Sequence, residues 1–219
     1  MKYVICAHRD YGIDLYDNLK KQFDFTLIKS KNTLKFNTIK KINPSIIFFP
    51  DWSWKVPEKI VNNFTCVCFH EAPLPKFRGG SPIQNQIIRG ITKTKTTAFV
   101  MNEQIDAGDI ILQKNLSLEG SIQEIFSRMY ENDYSLILKI INGKYKRRKQ
   151  SGKPTSYSRR KPKDSELKSL NHPKNYLYNF IRMLEDPYPN AFVRIGKQKL
   201  IFKKAIYNNK KLSAGVEIE

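Results

Sequence analysis

Cysteine and histidine are both scarce, three of each among 219 residues. The cysteines, Cys6, Cys66 and Cys68, are odd in number and lie in apolar runs, which argues against a disulfide framework. No Cys-x-x-Cys pair is present, so the ligand spacing of a structural zinc site is missing and no metal is expected. Long hydrophobic runs are also lacking: nothing approaches the roughly 18–20 apolar residues of a membrane span. The N-terminal run KYVICA is too short for a signal-peptide core and has no small-residue cleavage site behind it. A cytoplasmic protein with no membrane contact is expected. Negative charge is the remaining shortage, with 20 Asp and Glu against 39 Lys and Arg and a net charge of +19. A polyanion is therefore the first partner to consider. Against these shortages, 40% hydrophobic and 12% aromatic residues can fill a core, which excludes a disordered basic tail as the whole chain.

Along the chain, apolar strands alternate with helical spacing. KYVICA (2–7), FTLIKS (25–30), SIIFFP (45–50) and FTCVCFH (64–70) read as strands, with helical segments through 14–22, 38–42 and 57–63 between them. Continuous apolar runs of this kind suit strands buried on both faces of a parallel sheet. The stiff loop EAPLPKFRGGSP follows, then a helix at 83–89, a strand TTAFVM (96–101), the polar loop NEQIDAGD and a strand IILQKNLSL (110–118). The longest helix is expected over 121–142, where Ile122, Ile125, Met129, Leu136, Ile137 and Ile140 form an apolar stripe. From 144 to 168 the chain is rich in Lys, Arg, Ser, Gly and Pro with little to bury, and a boundary is placed there, giving regions 1–150 and 151–219. A helix near 173–184 and a hairpin across Gly196 complete the pattern.

Ligands of α/β sheets sit beyond the carboxyl ends of the strands, where His70 ends one buried run. If Asp106 in IDAGD met it at that edge, an imidazole with a carboxylate partner would serve as a general acid or base near neutral pH. A packed histidine and an ordinary turn explain the same residues, and composition and spacing leave both readings open.

The segment 64–113 resembles the formyltransferase family that uses 10-formyltetrahydrofolate. The family pattern is Asn-x-His, then Leu-Pro-x-x-Arg-Gly, then Leu-Asp-x-Gly; His70, then Leu74, Pro75, Arg78 and Gly79, then Asp106 and Gly108 match it in order. The resemblance implies a Rossmann-like α/β fold with a mostly parallel sheet, here with a small C-terminal helix and β-hairpin. It implies His70 as general base and Asp106 as the residue that orients it. Cys68 stands where the family has asparagine, an oxyanion donor whose loss costs about 100–1,000-fold in well-studied hydrolases. A backbone N–H, Asn85 or Asn102 would have to substitute, and as a nucleophile Cys68 competes with its reading as a small buried hydrophobe.

By the same resemblance, Phe49, Pro50, Asp51, Trp52, Trp54 and Asp109 would line the folate pocket, the tryptophans serving equally as core. Lys76, Arg78, Gly79, Gly80, Tyr157, Arg159 and Arg160 would meet a phosphorylated substrate, with Tyr157 stacking on a base, although a solvated charge run accounts equally well for the connector. The stretches 45–57, SYSRRKPKDSEL and EDPYPNAFVRI look most like sugar nucleotide N-formyltransferases. Too few residues follow Gly152 for the large β-barrel domain of methionyl-tRNA formyltransferases. The expected substrate is thus a nucleotide-linked amino sugar such as dTDP-4-amino-4,6-dideoxyglucose, for cell-surface polysaccharide, with a homodimer and no specific nucleic acid. A 10-formyltetrahydrofolate hydrolase or another formyltransferase, and a basic nucleic-acid-binding protein, are the alternatives.

Overall fold

The apolar runs do become buried strands. A computed structural model describes residues 1–219 except for the side chain of Asp51. In chain order it contains β1 (Lys2–Ala7), α1 (Asp10–Leu19), β2 (Asp24–Ile28), α2 (Phe36–Ile42), β3 (Ile46–Asp51), α3 (Glu58–Val61), β4 (Cys66–His70) and β5 (Arg78–Gly79). It continues with α4 (Pro82–Ile87), β6 (Lys93–Val100), β7 (Ile110–Ser117), α5 (Ile122–Ile141), β8 (Ser156–Tyr157), α6 (Lys174–Arg182), β9 (Phe192–Ile195), β10 (Gln198–Asn208) and β11 (Lys211–Ile218). A six-stranded sheet has the order β2-β1-β3-β4-β6-β7. Strands β2, β1, β3 and β4 pair in parallel, whereas β6 runs antiparallel to β4.

Two compact units emerge. The first comprises Met1–Arg78, Thr94–Leu116 and Phe126–Ser156; the second comprises Gly79–Lys93, Ser117–Ile125 and Tyr157–Glu219. The Ser156/Tyr157 division falls close to the boundary placed at 150/151, but the second unit also takes in two earlier segments. Hydrophobicity cannot show this, because the segments are joined by backbone bonds such as Leu118 N to Thr92 O, 2.7 Å.

In the first unit the side chains of each strand alternate between two cores. Tyr3, Ile5, Phe48, Val67 and Phe69 pack with Leu15, Leu19, Leu136, Ile137 and Ile140 on one face. Val4, Cys6, Ile47, Phe49 and Cys66 pack with Ile39, Val56 and Ile60 on the other, with Cys68 and Trp52 against them. Parity along β4 therefore puts Cys68 and His70 on the face of Phe49. The stripe of α5 has a gap between Met129 and Leu136 that buried Asn132 fills, its amide donating to Thr96 Oγ1 and Asn115 O.

In the second unit, β9, β10 and β11 form an antiparallel sheet, so the expected hairpin has a third strand. Buried Arg182 on α6 ties down the preceding segment, donating to Leu118 O at 2.7 Å and Gly120 O at 2.9 Å. Among the described residues, no helix is long and apolar enough to cross a membrane.

Candidate active site

His70 closes β4 and is 6% exposed. Its Nε2 lies 2.7 Å from the carbonyl of Phe77, and since a carbonyl only accepts, the ring donates there. On the opposite edge, Nδ1 is 3.6 Å from Asp106 Oδ2, an ion-pair distance rather than a hydrogen bond. Both nitrogens are thus held, one by the loop after β4 and one by the loop after β6.

Asp106 does not reach His70 by sharing a strand-end edge, as the spacing suggested. Antiparallel β6 places Thr97 opposite His70 and Val100 opposite Val67, so β6 ends at the far side of β4. The loop 101–109 must fold back, and Val100 N bonds Asp109 O at 2.9 Å as it does so. Gly108 makes the return possible: a Cβ there would lie 1.7 Å from Val100 O. Asp106 takes a left-handed φ of 51°, which aspartate tolerates better than most residues.

Cys68 sits one residue pair below His70, flanked in register by Phe49 and Phe99. Burial pushes its thiol well above the ordinary range, and the carboxylates of Asp106, Glu71 and Asp133 push the same way. A shift in this direction disfavours the thiolate, the form in which a cysteine acts as nucleophile. Of the two asparagines considered as substitute donors, the first has its amide nitrogen already engaged and the second is exposed. Asn85 directs its amide nitrogen to Gly80 O and Ser81 O, both at 3.1 Å, and Asn102 is exposed, its Oδ1 accepting from Gln104 N.

At the carboxyl end of β3, Phe49 is buried and the carbonyl of Pro50 accepts from Tyr11 Oη at 2.9 Å. The side chain of Asp51 lies outside the described residues. Trp52 and Trp54 meet edge to face with centroids 4.9 Å apart, and His8, at the end of β1, lies 4.7 Å from Trp54 and 2.9 Å from Ser53 Oγ. Buried Trp52 Nε1 has no partner among the described residues. An aromatic wall with an unspent donor fits a planar heterocycle rich in acceptors, such as the pterin of a folate. Asp109 is half-buried and engaged through its backbone with β6.

The residues expected to meet a phosphorylated substrate are dispersed in role. Lys76 and Arg159 are exposed. Arg78 turns to Gln150, donating from Nε at 3.2 Å and Nη2 at 2.7 Å. Gly79, with φ of 89°, leaves room for Tyr157 O, which a Cβ would approach to 2.4 Å; Gly80 N bonds that same oxygen at 2.8 Å. The Tyr157 ring carries the Arg89 guanidinium over its face at 4.5 Å, so that surface is taken. Arg160 donates to Asp164 O and lies over Phe180.

Sequence reasoning missed Gln150, Phe77 and Thr155. Thr155 accepts from Phe77 N through Oγ1 and from Arg78 N through its carbonyl. The stretch set aside as a connector is therefore pinned to the loop after β4 by bonds to main-chain N–H groups that composition does not register.

This arrangement belongs to a known class. Residues 20–141 match the family model described as formyl transferase, and residues 162–219 match the methionyl-tRNA formyltransferase C-terminal domain. The chain is a member of the formyl transferase family. Among its relatives, methionyl-tRNA formyltransferase of Clostridium acetobutylicum is 29% identical over 77% of this chain and 57% of its own length. That of Malacoplasma penetrans is 29% identical over 88% of this chain and 67% of its own length. The chain thus spans about three-fifths of these curated relatives. A solved structure, methionyl-tRNA formyltransferase from Clostridium thermocellum, is 40% identical with a TM-score of 0.96, covering 100% of this chain and 99% of that one.

These relatives overturn the expectation of a sugar N-formyltransferase, and the nucleotide-linked amino sugar and polysaccharide role fall with it. Length does not separate the two classes, because the C. thermocellum chain is nearly coextensive with this one. The short segment after the boundary matches the C-terminal model despite being small.

Proposed function

We propose that the chain transfers the formyl group of 10-formyltetrahydrofolate to the amine of methionyl-tRNA. The observation that carries this reading is the correspondence, along the whole chain, with the C. thermocellum protein of that name. An RNA acceptor also gives the +19 charge a role that a sugar nucleotide left largely unexplained. The folate supplies the activated carbon; position and proton handling fall to the protein.

Attack forms a bond between the amine nitrogen and the formyl carbon, and collapse breaks the bond from that carbon to N10. Over the reaction one proton passes from the amine to N10. His70 is the residue to carry it: with the Phe77 carbonyl displaced from Nε2 and the ring proton on Nδ1 toward Asp106, Nε2 accepts the proton from the amine and returns it to N10. Trp52 and Trp54 would wall the pterin side, with Trp52 Nε1 as donor.

Incubating the purified chain with 10-formyltetrahydrofolate and either methionyl-tRNA, uncharged tRNA or no acceptor tests the reading. Formylmethionyl-tRNA should form only in the first arm, and His70→Ala should lower kcat by about 10²–10⁴-fold with an unchanged melting temperature. Formate release at one rate in all three arms, or full activity in His70→Ala, would refute it.

A further inference from the structure

Gln150 makes contacts with both loops that hold His70. The start of β7 pairs antiparallel with the chain at Arg148, Ile110 and Arg148 exchanging two backbone bonds of 2.9 Å. Antiparallel register then carries residue 150 alongside residue 108. There the Gln150 amide nitrogen donates to Asp106 O at 2.8 Å and Gly108 O at 2.9 Å, while its oxygen accepts from Arg78 Nε and Nη2. One half-buried side chain thereby joins the turn on the Nδ1 side of His70 to the residue directly after Phe77, whose carbonyl holds Nε2.

We propose that Gln150 is a positioning residue for the His70–Asp106 pair, fixing the Asp106 turn against the Arg78 loop. The turn needs such support: Asp106 is left-handed, and the Gln150 amide donates to its backbone oxygen. A primary amide suits the position because both functions are required at once. Glutamate would accept from Arg78 but face two carbonyls with a carboxylate; lysine or arginine would donate to the turn but repel Arg78. The role in catalysis rests on the formyl-transfer reading above.

Gln150→Glu and Gln150→Ala separate the two halves of the contact. Steady-state rates should show kcat down about 10- to 100-fold in both, with KM for either substrate within about threefold, as misplacement of a reacting group by around 1 Å produces. Gln150→Glu should lose at least as much as Gln150→Ala although it keeps a partner for Arg78. Independently of turnover, the His70 ring nitrogens can be followed by ¹⁵N NMR of histidine-labelled protein; with only three histidines, His8 and His172 are assigned by substitution. Those resonances should move in both variants in the direction seen with Asp106→Asn. Unmoved His70 resonances, or a change confined to KM, would overturn the proposal. If the wild-type chain forms no formylmethionyl-tRNA, the proposed reaction falls while the resonances still decide whether Gln150 positions the pair.

Discussion

The two sheets solve different problems with different residues. In the six-stranded sheet, β1 has Val4, Ile5, Cys6 and Ala7 all at 0% exposure, and the candidate pair sits on the last residue of β4, His70, and on the 101–109 loop, Asp106. In the three-stranded sheet, β10 and β11 leave Ile206 at 59%, Val216 at 48% and Ile218 at 65% exposed, with Lys204, Lys210 and Lys211 exposed beside them. Close packing on both faces holds side chains to within fractions of an ångström, which acid–base chemistry requires. A loosely covered, basic sheet offers area and charge, which a large polyanion requires. The difference suggests a division of labour: disturbing the first sheet should alter kcat, and disturbing the second should alter KM.

The largest effect is expected at Gly108. A methyl group there would enter the Val100 carbonyl at 1.7 Å, and both atoms belong to backbone, so the turn must lift away from β6. Gly108→Ala should lower kcat by about 100-fold or more through displacement of Asp106, and destabilise the fold by about 1–3 kcal/mol as overpacking does. Thermal melts and steady-state rates on one preparation check both. An active Gly108→Ala protein would show that Asp106 need not be held so closely.

A moderate effect is expected from charge on the second sheet. Lys204, Lys210 and Lys211 are exposed and make no ion pair among the described residues. Replacing all three with Glu should raise KM for the proposed methionyl-tRNA acceptor by about tenfold or more at low salt, and flatten its salt dependence by about one unit of slope per lost phosphate contact. kcat should hold. A fall in kcat with KM unchanged would break the division of labour between the sheets.

What the sequence made legible follows the same contrast. Strands such as SIIFFP and FTCVCFH announce themselves because burial on both faces demands unbroken apolar runs, and they appear as β3 and β4. His70 and Asp106 were recoverable because their types and order are distinctive, although the route that joins them was not: only the antiparallel placement of β6 forces the loop to return. Strand β11, KLSAGVEI, was also legible, since Leu212, Ala214, Val216 and Ile218 alternate with Lys211, Ser213, Gly215 and Glu217, although no face of it is fully buried. Gln150 was not. It lies in a run of Lys and Arg, and its partners include two backbone carbonyls that any residue types would provide. Side-chain chemistry is legible in a sequence when the partner is also a side chain; it is obscured when the partner is the main chain.

The smallest effect is expected at Cys68, despite its place two residues before His70. The thiol is pushed well above its ordinary value of about 8.5 by burial and by the Asp106 and Glu71 carboxylates, so thiolate builds up only at high pH and the sulfur stays neutral where the enzyme would work. Its hydrogen points to the adjacent Phe69 carbonyl at 3.6 Å, a weak contact. Cys68→Ala should therefore leave kcat within about twofold, since it removes neither a nucleophile nor a strong donor. Alkylation by iodoacetamide should be slow at pH 7 and climb without a plateau through pH 9, followed by mass spectrometry of the Cys68 peptide. Rapid labelling at neutral pH together with loss of turnover in Cys68→Ala would make the sulfur a participant beside the proposed His70–Asp106 pair.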